Sequence, residues 1–194
     1  MNALFPIYVK LAQLQTLLVG GGPVALEKLT AIYANSPEAK VKLVALEINE
    51  EVRSFAADHP QISLHERLFE DSDLQGIDLI IMASNNDQLN RHVQQKAREQ
   101  HILLNVADTP ALCDFYLGSV VQKGNLKIGI STNGKSPTIA KRVKEYLNEL
   151  LPEEIDETLE LMAQLRQSLH GDFKEKLRIL NAHTEDLLQL KKDD

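Results

Sequence analysis

The chain has 194 residues, 43% of them hydrophobic, which is enough for one medium domain and an appendage around a sizeable core. No run of 18 apolar residues and no charged-then-apolar leader occurs, so the expectation is a soluble, cytoplasmic protein with no membrane partner. A net charge of −7 speaks against nucleic acid as a partner, and a single cysteine, Cys113, excludes an internal disulfide and a cysteine metal cage.

Leu17-Leu-Val19 is an apolar run that meets Gly20, Gly21 and Gly22 and then opens into Pro23-Val24-Ala25 and a helically spaced stretch to Tyr33. This strand–turn–helix order is the form of a dinucleotide site. Gly20 permits the tight turn, Gly22 lets a pyrophosphate approach the backbone, and Ala25 lets the helix pack close to the strand. Pro23 suits the first helical turn, whose N–H groups have no internal partner and face the phosphates. A second strand, Ala39–Leu46, ends on Glu47, about 20 residues further on, where a carboxylate accepts ribose hydroxyls and repels a 2′-phosphate. The site therefore leans to NAD over NADP. The plain alternative is a glycine turn with no nucleotide.

A polar helix is expected over Asn49–His59, a short strand over Ile62–Phe69, and a buried strand over Ile77–Ala83 that stops at Ser84. Asp87 is the expected cap of a helix to Gln100, and Ile102–Ala107 is a further strand that ends on Asp108. Such alternation implies a parallel sheet covered on both faces, with ligands at the carboxyl ends of the strands. The glycines, Glu47, Ser84 and Asp108 all fall at those ends.

The rhythm changes at residue 113. Phe115–Gln122 and Leu126–Thr132 flank Lys123-Gly124-Asn125 as an antiparallel hairpin, and Ser136-Pro137 caps a helix to Leu151. In the tail, Ile155, Leu159, Met162, Leu165 and Leu169 form one apolar stripe, and Phe173, Leu177 and Leu180 form another after Gly171. One-sided helices beside a hairpin with open edges call for a second subunit. Residues 114–147 carry six basic residues and two acids inside an acidic chain, which is either a solvated helix face or a landing surface for an anionic ligand.

Gly129–Ser136 matches the phosphate-loop pattern G-x-x-x-x-G-K-[ST], but its first glycine sits inside a strand-like run, Pro137 follows at once, and no later apolar run ends in a metal-holding Asp. The six histidines (59, 65, 92, 101, 170 and 183) have no ligand spacing and read mostly as surface residues, so no bound metal is expected.

Three motifs occur in order: L-V-G-G-G-x-V-A at residues 18–25, N-V-x-D at 105–108 and S-x-x-G-x-S-P at 131–137. Together they resemble the precorrin-2 dehydrogenase/sirohydrochlorin ferrochelatase family, which is also the N-terminal module of sirohaem synthase. The resemblance spans the chain and implies an α/β architecture. A Rossmann-like NAD-binding domain over 1–112 is followed by a small α+β dimerisation segment over 113–151 and a helical domain over 152–194. It implies NAD-dependent conversion of precorrin-2, a tetrapyrrole, to sirohydrochlorin by a homodimer. In bifunctional members, Fe²⁺ enters as the substrate of a chelatase step that gives sirohaem. The methyltransferase domain of fused synthases is not expected within these 194 residues.

Residue by residue, the resemblance assigns cofactor contacts to Gly20, Gly21, Gly22, Pro23, Val24, Leu46 and Glu47, and catalysis to Asp108. Ser84 joins the cofactor set from its strand-end position. The substrate's many carboxylates suit the basic segment, with Lys135, Ser136 and Arg142 as the candidate contacts. Thr132 stands where some fused synthases have a phosphorylatable serine, and Asn133 where relatives often have glycine. Read as residues only, Asp108 is equally a turn former before Thr109-Pro110. A dehydrogenase without chelatase activity and a non-catalytic NAD-binding sensor are the two other functions compatible with the chain.

Overall fold

The computed structural model describes residues 2, 4–169 and 173–184; His170 and Gly171 lie outside the described residues. These fall into two compact units, Phe5–Leu117 and, with the residues before Phe5, Gly118 onward. Each is taken by itself.

The first unit is built from β1 (Gln15–Val19), α1 (Pro23–Asn35), β2 (Lys40–Ala45), α2 (Glu50–Ala57), β3 (Ile62–Glu66), β4 (Leu79–Met82), α3 (Asp87–Glu99) and β5 (Leu103–Val106). The five strands are all parallel, in the order β3-β2-β1-β4-β5. This is a Rossmann-like sheet. Central strands buried on both faces need apolar residues in unbroken runs, and Leu17, Leu18, Ile80 and Ile81 supply them. Alternation then divides the core. Leu18, Val41, Leu43 and Ile81 face Leu29 of α1 and Val52 of α2, while Leu17, Val19, Val44, Ile80, Met82 and Leu104 face Val93 and Ala97 of α3.

Several boundaries differ from the sequence expectation. The third strand stops at Glu66 instead of Phe69; the Arg67 N–H still meets the Ala45 carbonyl at 2.8 Å, and its side chain goes to a buried carboxylate described below. Asn86 caps α3, its Oδ1 accepting the Leu89 N–H at 3.0 Å, so Asp87 is the first helical residue and pairs with Arg91 instead. His59 is no surface residue: it stacks on Phe55, with ring centroids 4.2 Å apart, and its Nδ1 lies 2.7 Å from the Phe55 carbonyl. Tyr33 completes this cluster, and burial pushes its phenol up to about 12.

The second unit holds the antiparallel hairpin β6 (Ser119–Lys123) and β7 (Leu126–Ile130), then α4 (Pro137–Leu150), α5 (Ile155–Ser168) and α6 (Phe173–Thr184). β6 starts at Ser119, four residues later than the apolar run suggests. Phe115 instead packs against the core of the first unit. The hairpin turn is clasped from α5, where Asp156 accepts from both the backbone and side-chain nitrogens of Asn125, at 2.6 and 3.0 Å. Among the described residues, no helix is long and apolar enough to cross a membrane.

Candidate functional site

The glycine loop separates into two roles. Gly20 has φ +123°, its N–H donates to the Val44 carbonyl at 3.0 Å, and a Cβ there would stand 2.3 Å from the Ala83 carbonyl oxygen. A Cβ on Gly21 would stand 2.2 Å from the Glu47 carbonyl oxygen, and the Gly21 carbonyl accepts the Asn49 N–H at 2.9 Å. Packing within the protein therefore demands both. Gly22 is different. Its backbone, φ −97° and ψ −164°, is open to any residue, and a Cβ there would meet nothing within 4 Å. The space it leaves is open, so a group from outside the chain can approach this backbone.

That space lies at the start of α1. Gly22 offers no side-chain cap, Pro23 has no N–H, and the first turn carries no acid. The N–H groups of Val24 and Ala25, which a helix cannot pair internally, and the positive end of the helix dipole are thus available to an anion. These features fit a dinucleotide's pyrophosphate. A shallow depression lined by Gly22, Pro23, Leu26, Asn49, Glu51 and Val52 adjoins them.

Glu47 follows β2, and its backbone lies against Gly21. Its side chain is exposed and makes no hydrogen bond among the described residues, and the preceding Leu46 is 64% exposed. Beyond β4, Ser84 Oγ accepts the Asn86 N–H at 3.1 Å, and the Ser84 carbonyl accepts from Asn90 Nδ2 at 3.0 Å. Asn90 is 4% exposed, so a buried amide fixes this loop.

Asp108 follows β5 with φ +55°, in the left-handed region that few non-glycine residues occupy. It is exposed and has no hydrogen bond or ion pair among the described residues. Its turn is held from behind by Cys113. The sulfur accepts the Val106 N–H at 3.2 Å and lies 3.2 Å from the Val106 carbonyl oxygen and 3.4 Å from that of Thr109. Burial pushes the Cys113 thiol up, so it stays protonated at neutral pH and remains a donor. Asp114 continues the clasp, accepting the Leu104 N–H at 3.0 Å. The outer edge of β5 is thereby covered, and the left-handed turn that carries Asp108, a conformation aspartate tolerates as asparagine does, is held firmly.

Lys135, Ser136 and Arg142 belong to the second unit. Lys135 is exposed and its ammonium has no partner among the described residues, Ser136 Oγ is engaged as the α4 cap by the Ile139 N–H at 3.2 Å, and Arg142 pairs with Glu145 at 2.9 Å. Thr132 closes the turn before α4, its hydroxyl accepting the Ser136 N–H at 3.2 Å. Asn133 and Gly134 are both left-handed, with φ +55° and +72°, a conformation that asparagine tolerates. Gly129 lies within β7 of an antiparallel pair, so the phosphate-loop pattern has the wrong surroundings.

Two acids at the same sheet end are not apparent in the sequence as partners. Glu66 closes β3 opposite Ala45 of β2, and its Oε1 accepts both the Ile48 N–H at 3.2 Å and Nη2 of Arg53. Asp73 is 1% exposed and is gripped by Arg67 at 2.6 and 2.8 Å, by Lys42 at 2.7 Å and by the Glu70 N–H at 2.9 Å. The Arg67 guanidinium, opposed by burial and helped by Lys42, holds its carboxyl well below the usual range. An acid at the end of a strand-like run is a visible signal for Glu66, but its partners lie 13 and 18 residues away.

Comparison with known proteins places this geometry in context. Residues 7–119 match the protein family described as "Putative NAD(P)-binding", and residues 123–150 match the one described as "Sirohaem biosynthesis protein central". The siroheme synthase of Pseudoalteromonas atlantica is 33% identical over 174 residues, covering 90% of this chain and 34% of that protein. The siroheme synthase of Psychrobacter arcticus is 33% identical over 179 residues, covering 91% of this chain and 31% of that protein. The chain thus spans about a third of the length of these relatives. Among solved structures, SirC, a precorrin-2 dehydrogenase, shares the fold with a TM-score of 0.75 at 22% identity, over 97% of this chain and 94% of that one.

Proposed function

The chain belongs to the NAD(P)-binding family in the form that sirohaem biosynthesis proteins carry, and from that premise we propose that it oxidises precorrin-2 to sirohydrochlorin with NAD⁺. The observation that carries this reading is Asp108. It is an exposed carboxylate, without a hydrogen bond or ion pair among the described residues, at the carboxyl end of the same sheet as the Gly22 cradle, and is therefore free to act as a base.

Gly22, Val24 and Ala25 would hold the pyrophosphate, with Leu46 beside the adenosine end and Glu47 on the ribose hydroxyls. Ser84, on the neighbouring strand end, would line the same cleft. Glu47 favours NAD⁺, since its charge would oppose a 2′-phosphate. When bound, NAD⁺ supplies the acceptor for the hydride that leaves a macrocycle carbon. The second hydrogen leaves as a proton, and Asp108 is the group to receive it. In the second unit, Lys135 is the best suited of the three candidates to a substrate carboxylate, because its ammonium has no protein partner among the described residues. Ser136 and Arg142 are already engaged by α4 and Glu145.

Iron insertion is the second activity. A metal that enters the ring displaces two pyrrole protons, and the same carboxylate would serve as acceptor. The assembly is a homodimer, which the apolar stripe on α4 supports. Ile139, Val143, Tyr146 and Leu150 recur at intervals of four, three and four residues and are 38–63% exposed.

The test is to incubate the purified protein with precorrin-2 and NAD⁺, follow sirohydrochlorin formation, and then add Fe²⁺. Asp108→Asn keeps shape and hydrogen bonding but cannot take the proton. It should bind NAD⁺ as the unaltered protein does and lose on the order of 10²–10⁴ in dehydrogenation rate. Unimpaired turnover would reduce Asp108 to a turn residue. NAD⁺ binding with no turnover in the unaltered protein would favour the sensor.

A further inference from the structure

The carboxyl end of β2 decides whether a dinucleotide site accepts a 2′-phosphate, and sites that do accept it use an arginine there. Two arginines stand beside this strand end. Arg67 N–H donates to the Ala45 carbonyl at 2.8 Å, but its guanidinium is spent on the buried Asp73, which also holds Lys42. Arg53 lies on α2, the helix that follows Glu47. Among the described residues its guanidinium meets only Glu66, and both partners are open to water, at 39% and 46% exposure. The same Glu66 oxygen accepts the Ile48 N–H at 3.2 Å. One carboxylate oxygen therefore bridges the Arg53 guanidinium and the peptide that joins Glu47 to Ile48.

We propose that Glu66 is a second determinant of nucleotide choice, acting by locking Arg53 away from a 2′-phosphate. Glu47 then excludes the phosphate by its own charge, while Glu66 withholds the one arginine of the pair that a single substitution would release. The difference between the two locks is burial. Asp73 is 1% exposed and bound by four donors, two from Arg67 and one each from Lys42 and the Glu70 N–H, so opening it would disturb the sheet. Glu66 is at an edge strand and satisfies two donors with one oxygen. This inference rests on the dinucleotide reading of the site and adds to it a residue that need not touch the nucleotide.

Glu66→Gln is the informative change, because the amide keeps a carbonyl oxygen for the Ile48 N–H yet loses the charge that holds Arg53. Dissociation constants for NAD⁺ and NADP⁺ are measured by calorimetric titration of the full chain, without substrate. In Glu66→Gln, NADP⁺ should bind about tenfold more tightly, while NAD⁺ stays within about twofold, since a released guanidinium gains a charge-assisted partner only in the former. Adding Arg53→Ala should cancel the gain. An unchanged NADP⁺-to-NAD⁺ ratio in Glu66→Gln would overturn the proposal. A gain that survives Arg53→Ala would also overturn it, by assigning the effect to Glu66's own charge. Failure of the unaltered protein to bind either nucleotide would instead overturn the dinucleotide reading itself, and the inference with it.

Discussion

The two units treat apolar surface in opposite ways. In the first, the sheet strands carry their large side chains into two sealed layers, and Leu17, Leu18, Leu29, Leu43 and Ile80 are fully buried. In the second, the fully or nearly buried apolar residues among the described ones are Val121, Ala140 and Ile155, while α4 shows Ile139, Val143, Tyr146 and Leu150 in line to solvent. The first also exposes apolar residues, in the Phe5–Val9 arm and singly at Leu46, Leu68 and Leu103, but not as a helical stripe. A parallel sheet with helices on both faces closes its own core. A two-stranded hairpin under one helix has a single face to bury and leaves the other exposed. If the proposed homodimer forms through α4, stability is intramolecular in the first unit and shared between subunits in the second.

The largest expected effect breaks the second half of that contrast. The double variant Val143→Glu/Tyr146→Glu places two charges on the stripe. It should weaken dimerisation by about 4 kcal/mol, roughly a thousandfold, as expected for two central interface side chains. Analytical ultracentrifugation reads this directly, and an unaltered association constant would mean that α4 is not the interface.

Within the first unit, Asp73→Asn should cost about 3 kcal/mol, because Arg67 and Lys42 lose the carboxylate that compensates them. Urea unfolding measures it. The pH dependence has a defined sign. Asp73 has a folded pKa below its unfolded value, so its contribution is complete above about pH 4, near the unfolded value, and fades as the pH falls below that. The stability gap between the unaltered chain and Asp73→Asn should therefore narrow below pH 4. A constant gap would show that the pair contributes packing and no charge.

The smallest effect sharpens the contrast inside the glycine loop. Gly21→Ala should lose about 2 kcal/mol of stability, since its Cβ meets a carbonyl oxygen that cannot withdraw without moving the β2–α2 connection. Gly22→Ala should change stability by less than about 0.5 kcal/mol, as a surface change does. The bulkier Gly22→Val should melt like the unaltered chain yet lose NAD⁺ affinity. Thermal melts with and without NAD⁺ separate the cases. Equal destabilisation by both alanine variants would remove the distinction between a packing glycine and a ligand glycine.

Much of this molecule is written in local chemistry. The run Leu17–Gly22, Pro23 in the first turn of α1, the strand that precedes Asp108 and the Ser136-Pro137 start of α4 are short-range patterns, and sequence alone determined them. Each depends on side-chain period or on a single residue's φ, properties that a neighbouring segment rarely alters. The tertiary structure decided the rest. It alone distinguishes Gly22 from Gly20 and Gly21, since a Cβ's neighbours come from Ala83 and Glu47. It sends Glu66 to Arg53 and Asp73 to Arg67 and Lys42, and it ends β3 three residues before the apolar pattern ends. It leaves Asp108 unpaired while Cys113 clasps its turn. These outcomes depend on which strands lie side by side, and strand order is set by the burial of the whole sheet, a quantity that no stretch of sequence carries by itself.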